Sequence, residues 1–313
     1  MPRMMLSSIL LQGCLLLAQS TAPIKVDVRL VNASFTVRDS AGRLVTNLSK
    51  DDFEVLDDGT RQQIAHFSKG EDLPLSLGLV VDVSGSQEHF VKRHHHDIAS
   101  FLKDVMKPRD QAFLVCFGNR IRLGSDLSGD RDAVMEGLDR CTKSSGRSSI
   151  PELGPKERRV LGTAFYDALY YSITEKLAAA EGARKALVIF SDGEDNSSAT
   201  DMMTAIETAQ KFDTVLFAMR YTESDRGGVL NGRNKYGIRV MERMSRETGG
   251  TDFDAGEHGM KKFFRKIEED LRSSYHIGYY SPAGSGDGTF HKVKIRAASA
   301  GLVVRAKSGY YSR

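Results

Sequence analysis

The sequence predicts an α/β fold: a mainly parallel sheet with helices packed against it, plus a smaller β unit assembled from both chain ends. Three observations carry this. Leu77, Leu79, Val80 and Val81, and later the run 186–190, form short, nearly continuous apolar stretches. That pattern suits strands covered on both faces. Between and after them apolar residues recur at three- and four-residue steps, as on helices with one buried side. Towards both ends the period falls to two, as in half-exposed strands.

The length of 313 residues leaves room for one large domain and something smaller. A hydrophobic content of 40% with 27% charged residues describes an ordinary globular protein. The net charge of +3 is too small to argue for nucleic acid or an acidic membrane surface as a partner.

Residues 1–22 combine Arg3, an apolar stretch over 6–18 and small residues after it. This is the pattern of a secretory signal peptide, with Ala18-Gln19-Ser20 as the cleavage box, so residues 1–20 are expected to be removed. Leu11-Gln12-Gly13-Cys14 resembles a lipoprotein box, although Gln12 is unusual there. The mature chain is therefore expected outside the cytoplasm, secreted or in the periplasm or cell envelope. It holds no further run long enough to span a bilayer.

Residues 24–72 read as β structure. Val26, Val28 and Leu30, then Phe35 and Val37, alternate with polar residues, and 53–56 and 62–67 are expected to pair as a hairpin. Asp51, Asp52, Asp57 and Asp58 lack EF-hand spacing and read as turn residues. After the apolar strand at 77–81, a helix is expected with Phe90, His94, Ile98, Phe101 and Val105 on one face. His94-His95-His96 is not a metal motif, because consecutive helical residues fan out by about 100°. His94 falls on the apolar side and His96 points away.

Cys116 lies in an apolar strand at 112–117. Cys141 follows a helix-like stretch at 130–140, and no disulfide between the two is expected. Residues 142–160 form a long polar loop, with Arg147, Arg158 and Arg159 as possible partner contacts. Helices are expected at 200–212, 237–247 and 259–271, a strand at 215–219, and a flexible loop at 225–235. The period of two then returns at 275–280, 290–296 and 302–306, with Asp287-Gly288 as a hairpin turn. Either terminal β segment is short of strands for a stable sheet. Segments 23–72 and 273–313 are therefore expected to combine around a domain at 73–272.

The chemistry concentrates where strands end. Asp82-Val83-Ser84-Gly85-Ser86 sets a carboxylate and two hydroxyls at alternate positions just past a buried strand, where open α/β sheets bind ligands. Gly162-Thr163 opens a helix-like stretch with Tyr166, Leu169, Ile173 and Leu177 apolar. The run 186–190 ends in Ser191-Asp192-Gly193-Glu194-Asp195-Asn196. All these donors are oxygens, the hard type that Mg²⁺ takes. The competing reading makes Ser84, Ser86 and Thr163 mere turn and helix caps, which would not require Asp at both strand ends.

Strand–DxSxS, loop–Thr and strand–Asp-Gly, in this order, resemble the metal-ion-dependent adhesion site (MIDAS) of von Willebrand factor A (VWA) domains. That resemblance implies a Rossmann-like, doubly wound domain and the metal ligands Asp82, Ser84, Ser86, Thr163 and Asp192. Gly249-Gly250, the apolar Phe263, Ile267 and Leu271, and Tyr275-His276-Ile277-Gly278-Tyr279-Tyr280 are similar to a VWA-related family abundant in acidobacteria. Similar leader and tail segments lie here at 45–68 and 301–311.

Function follows as an expectation. Two carboxylates balance Mg²⁺, or Mn²⁺, only formally, which leaves an ion able to attract a further carboxylate. A protein partner offering Asp or Glu would supply it, as in adhesion-type A domains. In a second reading the metal only orders loops of an envelope scaffold. A third is enzymatic, since a strand ending in Asp82 is similar to aspartate-nucleophile phosphohydrolases. Their acid, an Asp two residues on, is here Ser84, which is no proton donor near neutral pH. The chain is thus expected not to be an enzyme.

Overall fold

The computed structural model describes residues 29–70, 73–143, 150–155, 162–222, 232–256, 260–281 and 288–312. The leader with Cys14, and Val26 and Val28, lie outside them. So do Arg147, Arg158 and Arg159.

The chain enters through β1 (Arg29–Arg38), β2 (Phe53–Asp57), β3 (Thr60–Gln62) and β4 (Ile64–Lys69). Val31, Ala33, Phe35 and Val37 are buried, whereas Leu30, out of phase with them, is 40% exposed. Asp58 and Gly59 turn β2 into β3 at positive φ. The expected hairpin is shorter than the sequence suggests. It ends at Gln62, because Ile64 begins a strand that crosses to another sheet.

The α/β body then runs through β5 (Leu75–Asp82), a 3-10 turn at Gly85–Phe90, α1 (Val91–Val105), β6 (Gln111–Phe117), β7 (Ile121–Ser128) and α2 (Arg131–Lys143). It continues with α3 (Phe165–Tyr171), which passes into a π-helical turn, then β8 (Arg184–Ser191), α4 (Met202–Lys211) and β9 (Thr214–Arg220). The last elements are α5 (Gly232–Thr248), β10 (Asp252–Asp254) and α6 (Met260–Arg272).

The sheet order is β10-β9-β8-β5-β6-β7, parallel except for β7. Both of its faces are covered. Leu77, Leu79 and Val81 pack with Ile98, Phe101 and Phe264 on one side. On the other, Val80 belongs with Phe165, Leu169, Ile206 and Met241. This explains why β5 carries an apolar run rather than an alternation: all eight of its residues are buried.

Several boundaries differ from the sequence reading. Helix α2 extends to Lys143, so Cys141 lies within it rather than after it, and most of the expected loop at 142–160 lies outside the described residues. Helix α5 already includes 232–235, expected as loop. Strands β7 and β10 were not foreseen. The first carries Arg122, Gly124, Ser125 and Asp126 and slips register against β6; the second has three residues. Residues 150–155 run along β7, with Leu153 N donating to Ile121 O at 3.0 Å.

The C-terminal strands are β11 (Tyr275–Ser281), β12 (Phe290–Ala297), β13 (Val303–Ala306) and β14 (Gly309–Tyr311). Two antiparallel sheets result, β13-β1-β11-β4 and β14-β12-β2-β3, each drawing strands from both ends of the chain. Because β11 and β12 lie in different sheets, they do not pair as the hairpin expected around Asp287-Gly288, of which Asp287 lies outside the described residues. Between the sheets Phe35 meets Phe53 edge-on at 4.9 Å, and Tyr275 donates to Val45 O at 2.9 Å. Polar contacts tie this sandwich to the body. Ser34 Oγ donates to Asp213 Oδ2 at 2.7 Å, and Arg38 pairs with Asp270 at 2.5 Å. No helix among the described residues is long and apolar enough to cross a membrane.

Candidate metal centre

From β5 the chain moves to β6 on one side and later places β8 on the other, so the sheet's switch point lies between β5 and β8. Ligand clefts open at the carboxyl ends of strands at such points. Asp82 ends β5, and Asp192 directly follows β8.

Both carboxylates are set by the same local device. Ser84 N donates to Asp82 Oδ1 at 2.9 Å, and Glu194 N to Asp192 Oδ1 at 3.0 Å. Each Asp thus bonds the backbone two residues on, which turns the chain sharply out of the strand. Ser191 Oγ donates to Asp82 Oδ2 at 2.7 Å and links the two strand ends. Ser86 Oγ donates to Asp192 Oδ2 at 2.7 Å and lies 3.2 Å from Ser84 Oγ.

Thr163 arrives from the loop before α3. Asn196 Oδ1 accepts from Thr163 N at 2.7 Å, and Asn196 N donates to Thr163 O at 3.1 Å. Thr163 does not itself start the helix. Ala164 holds the cap position, and Asp195 Oδ1 accepts from Phe165 N at 2.8 Å. The structure therefore gathers all five sequence-identified residues at one point. Ser84, Ser86 and Thr163 line a cleft of about 350 Å³, together with Arg122, Glu194 and Arg233.

Glycines let the second carboxylate sit where it does. A Cβ on Gly237 of α5 would stand 2.1 Å from Asp192 O, and one on Gly193 (φ 79°) would stand 2.6 Å from Gly237 O. Helix and loop are in backbone contact that no side chain would fit.

Asp82 is fully buried, and burial, reinforced by the charge on Asp192, pushes its carboxyl up to about 7. Burial and Asp192 also raise Glu194, against the pull of Arg233. A divalent ion between Asp82 and Asp192 would reverse both effects. The donor set of two carboxylates and three hydroxyls suits Mg²⁺, with water for the remaining positions. These residues fit the ion that the MIDAS resemblance implies.

Sequence reasoning missed Ser191 and Asn196, although both stand in the run that supplied Asp192. It also missed Gln87, 1% exposed, whose Nε2 donates to Asp192 Oδ2 at 2.9 Å and to Tyr221 O at 3.1 Å. Nothing local in the sequence announces that pairing across 105 residues.

No family model and no curated protein matches the sequence. Solved structures do resemble it. An aerotolerance-related membrane protein from Bacteroides fragilis aligns over 63% of this chain and 98% of its own, at 14% identity and a TM-score of 0.47. A von Willebrand factor type A protein from Catenulispora acidiphila aligns over 90% and 74%, at 13% identity and 0.46. Proximal thread matrix protein 1 from the mussel byssus, solved with a zinc-occupied MIDAS motif, aligns over 69% and 50%, at 14% identity and 0.47. By its own strand order and covering helices, the chain has an α/β fold with a mainly parallel sheet and added antiparallel strands.

Proposed function

We propose that this is an exported binding protein. In this reading Asp82, Ser84, Ser86, Thr163 and Asp192 hold Mg²⁺, with Mn²⁺ as a substitute, and the ion captures an Asp or Glu side chain of a protein partner. The observation that carries it is the pairing of two buried-end carboxylates with three hydroxyl residues around one open cleft, with no cation of the chain bonded to either Asp among the described residues. The bound ion supplies a Lewis-acidic position open to an anion. The chain's own groups do the rest: Gln87 and Ser191 hold the two carboxylates, and Asn196 fixes the Thr163 loop. Arg122 and Arg233 favour an acidic group entering the cleft. Export rests on the leader at 1–22.

An envelope scaffold with a merely loop-ordering metal is the alternative. One pull-down separates the two, run from an envelope extract with Mg²⁺, with EDTA, and with the Asp192→Ala protein. A partner captured only in the first arm, and lost when its key Asp or Glu becomes Asn or Gln, supports capture through the metal. Equal capture in EDTA would leave the scaffold. The phosphohydrolase reading has one carboxyl in its favour, Glu194 in the cleft, and release of phosphate from a generic aryl phosphate would revive it.

A further inference from the structure

The sandwich brings together three side chains of metal-ligating types. Asp57 ends β2, Asp58 opens the turn to β3, and His291 lies on β12, the neighbour of β2. One ligand atom from each lies within 4.8 Å of the others. Asp58 does have the turn role that its sequence context implies, with φ 47° and Oδ1 accepting from Lys292 N at 2.8 Å.

Asp57 does something a turn does not need. It is 5% exposed, and its Oδ2 accepts hydroxyls from Tyr279 at 3.1 Å and Tyr310 at 2.8 Å. Its Oδ1 is buried with no partner, and so is Nε2 of His291. Buried polar atoms are almost always satisfied, and the orphaned Asp57 Oδ1, on the side of the cluster, points to a missing ligand. Nδ1 of His291 lies 2.8 Å from Asp58 Oδ2, so the ring and both carboxylates are already assembled.

We propose that Asp57, Asp58 and His291 form a second cation site, for a zinc-type divalent ion. One imidazole with two carboxylates is a donor set of borderline ions, unlike the all-oxygen set at the sheet top. Ligands about 2.0–2.2 Å from a common Zn²⁺ stand up to about 4.4 Å apart, so the group closes with a small shift. The ion takes the place of the His291–Asp58 hydrogen bond and gives Asp57 Oδ1 a partner. The tyrosine hydroxyls stay on Oδ2 and orient the carboxylate, as outer hydrogen bonds do for metal-binding groups. Asp58, with its side chain 52% exposed, leaves an open side for water. The consequence is a staple between the β2–β3 turn and β12.

The test uses the full chain carrying Asp192→Ala, stripped of metal and titrated with Zn²⁺ in a calorimeter, with thermal unfolding alongside. One equivalent of Zn²⁺ should bind and raise the melting temperature. Adding His291→Gln or Asp58→Asn should weaken binding by roughly 100-fold. His291→Gln in the otherwise unchanged chain should keep its Mg²⁺ binding, which shows that the fold is intact. Absence of saturable Zn²⁺ binding, or equal affinity after His291→Gln, would overturn the proposal.

Discussion

The sheet top and the β sandwich treat buried carboxylates in opposite ways. Asp82 closes the β5–β6 ladder and Asp192 follows β8, both bonded to serines, Gln87 and loop backbone at the cleft, while the body beneath them is held by Leu79, Val81, Val188 and Phe190. Asp57 ends a ladder strand, and its partners Tyr279 and Tyr310 belong to the sandwich core. Carboxylates bonded to loop groups at a strand end can serve binding with little share in the core. One placed among core tyrosines has to do both.

The sharpest way to break this comparison is to remove one carboxylate from each region. Asp57→Ala leaves two buried hydroxyls without their charged acceptor and should destabilise the protein by about 3 kcal/mol. Asp82→Ala should cost the metal-free protein less at pH 7, because the lost bonds to Ser84 N and Ser191 Oγ are offset by removing a carboxyl whose charged form burial and Asp192 disfavour. Urea unfolding of both variants checks this. Equal losses would erase the distinction.

Acid tests the body beneath the sheet top. His94 is 1% exposed, sits edge-on to Tyr221 at 4.3 Å, and has both ring nitrogens unpartnered. Burial, helped by Arg93, lowers it to about 3. The unfolded histidine takes a proton near pH 6.5, the folded one only far below. Its contribution is therefore complete above about 6.5 and is lost as pH falls towards 3. Between pH 6.5 and 5 the loss is about 2 kcal/mol. His94→Phe should flatten that part of the stability–pH curve in denaturant titrations while leaving Mg²⁺ affinity alone. An unchanged slope would show that His94 is not the group responsible.

Smaller still is the effect of single hydroxyls. Thr163→Ala or Ser84→Ala removes one neutral oxygen and should weaken Mg²⁺ binding by about tenfold, with the melting temperature nearly unchanged. Isothermal titration separates this from the complete loss expected on removing a carboxylate.

What could be read ahead of the structure follows from the range of the forces involved. Strands β5 and β8 show in the sequence because burial on both faces demands apolar residues throughout. The residues of the loop at 82–86 show because turn chemistry and donor type are local. Strand β7 hides, since Arg122 and Asp126 at the sheet's edge face no such demand, and a register slip destroys its alternation. The sandwich was visible as strands but not as two sheets: β4 and β12 each join a layer through a partner strand, β11 and β2, more than two hundred residues away. The same holds for His291 beside Asp58, which are 233 residues apart and meet only through the β2–β12 register.

The account's central claim is that the sheet top holds a metal through Asp82 and Asp192. The most direct test is calorimetric titration of Mg²⁺ into the metal-free full chain and into its Asp192→Ala variant. One equivalent should bind to the first and none to the second, with both proteins giving the same circular dichroism spectrum. Saturable Mg²⁺ binding of equal affinity in the variant would contradict the claim.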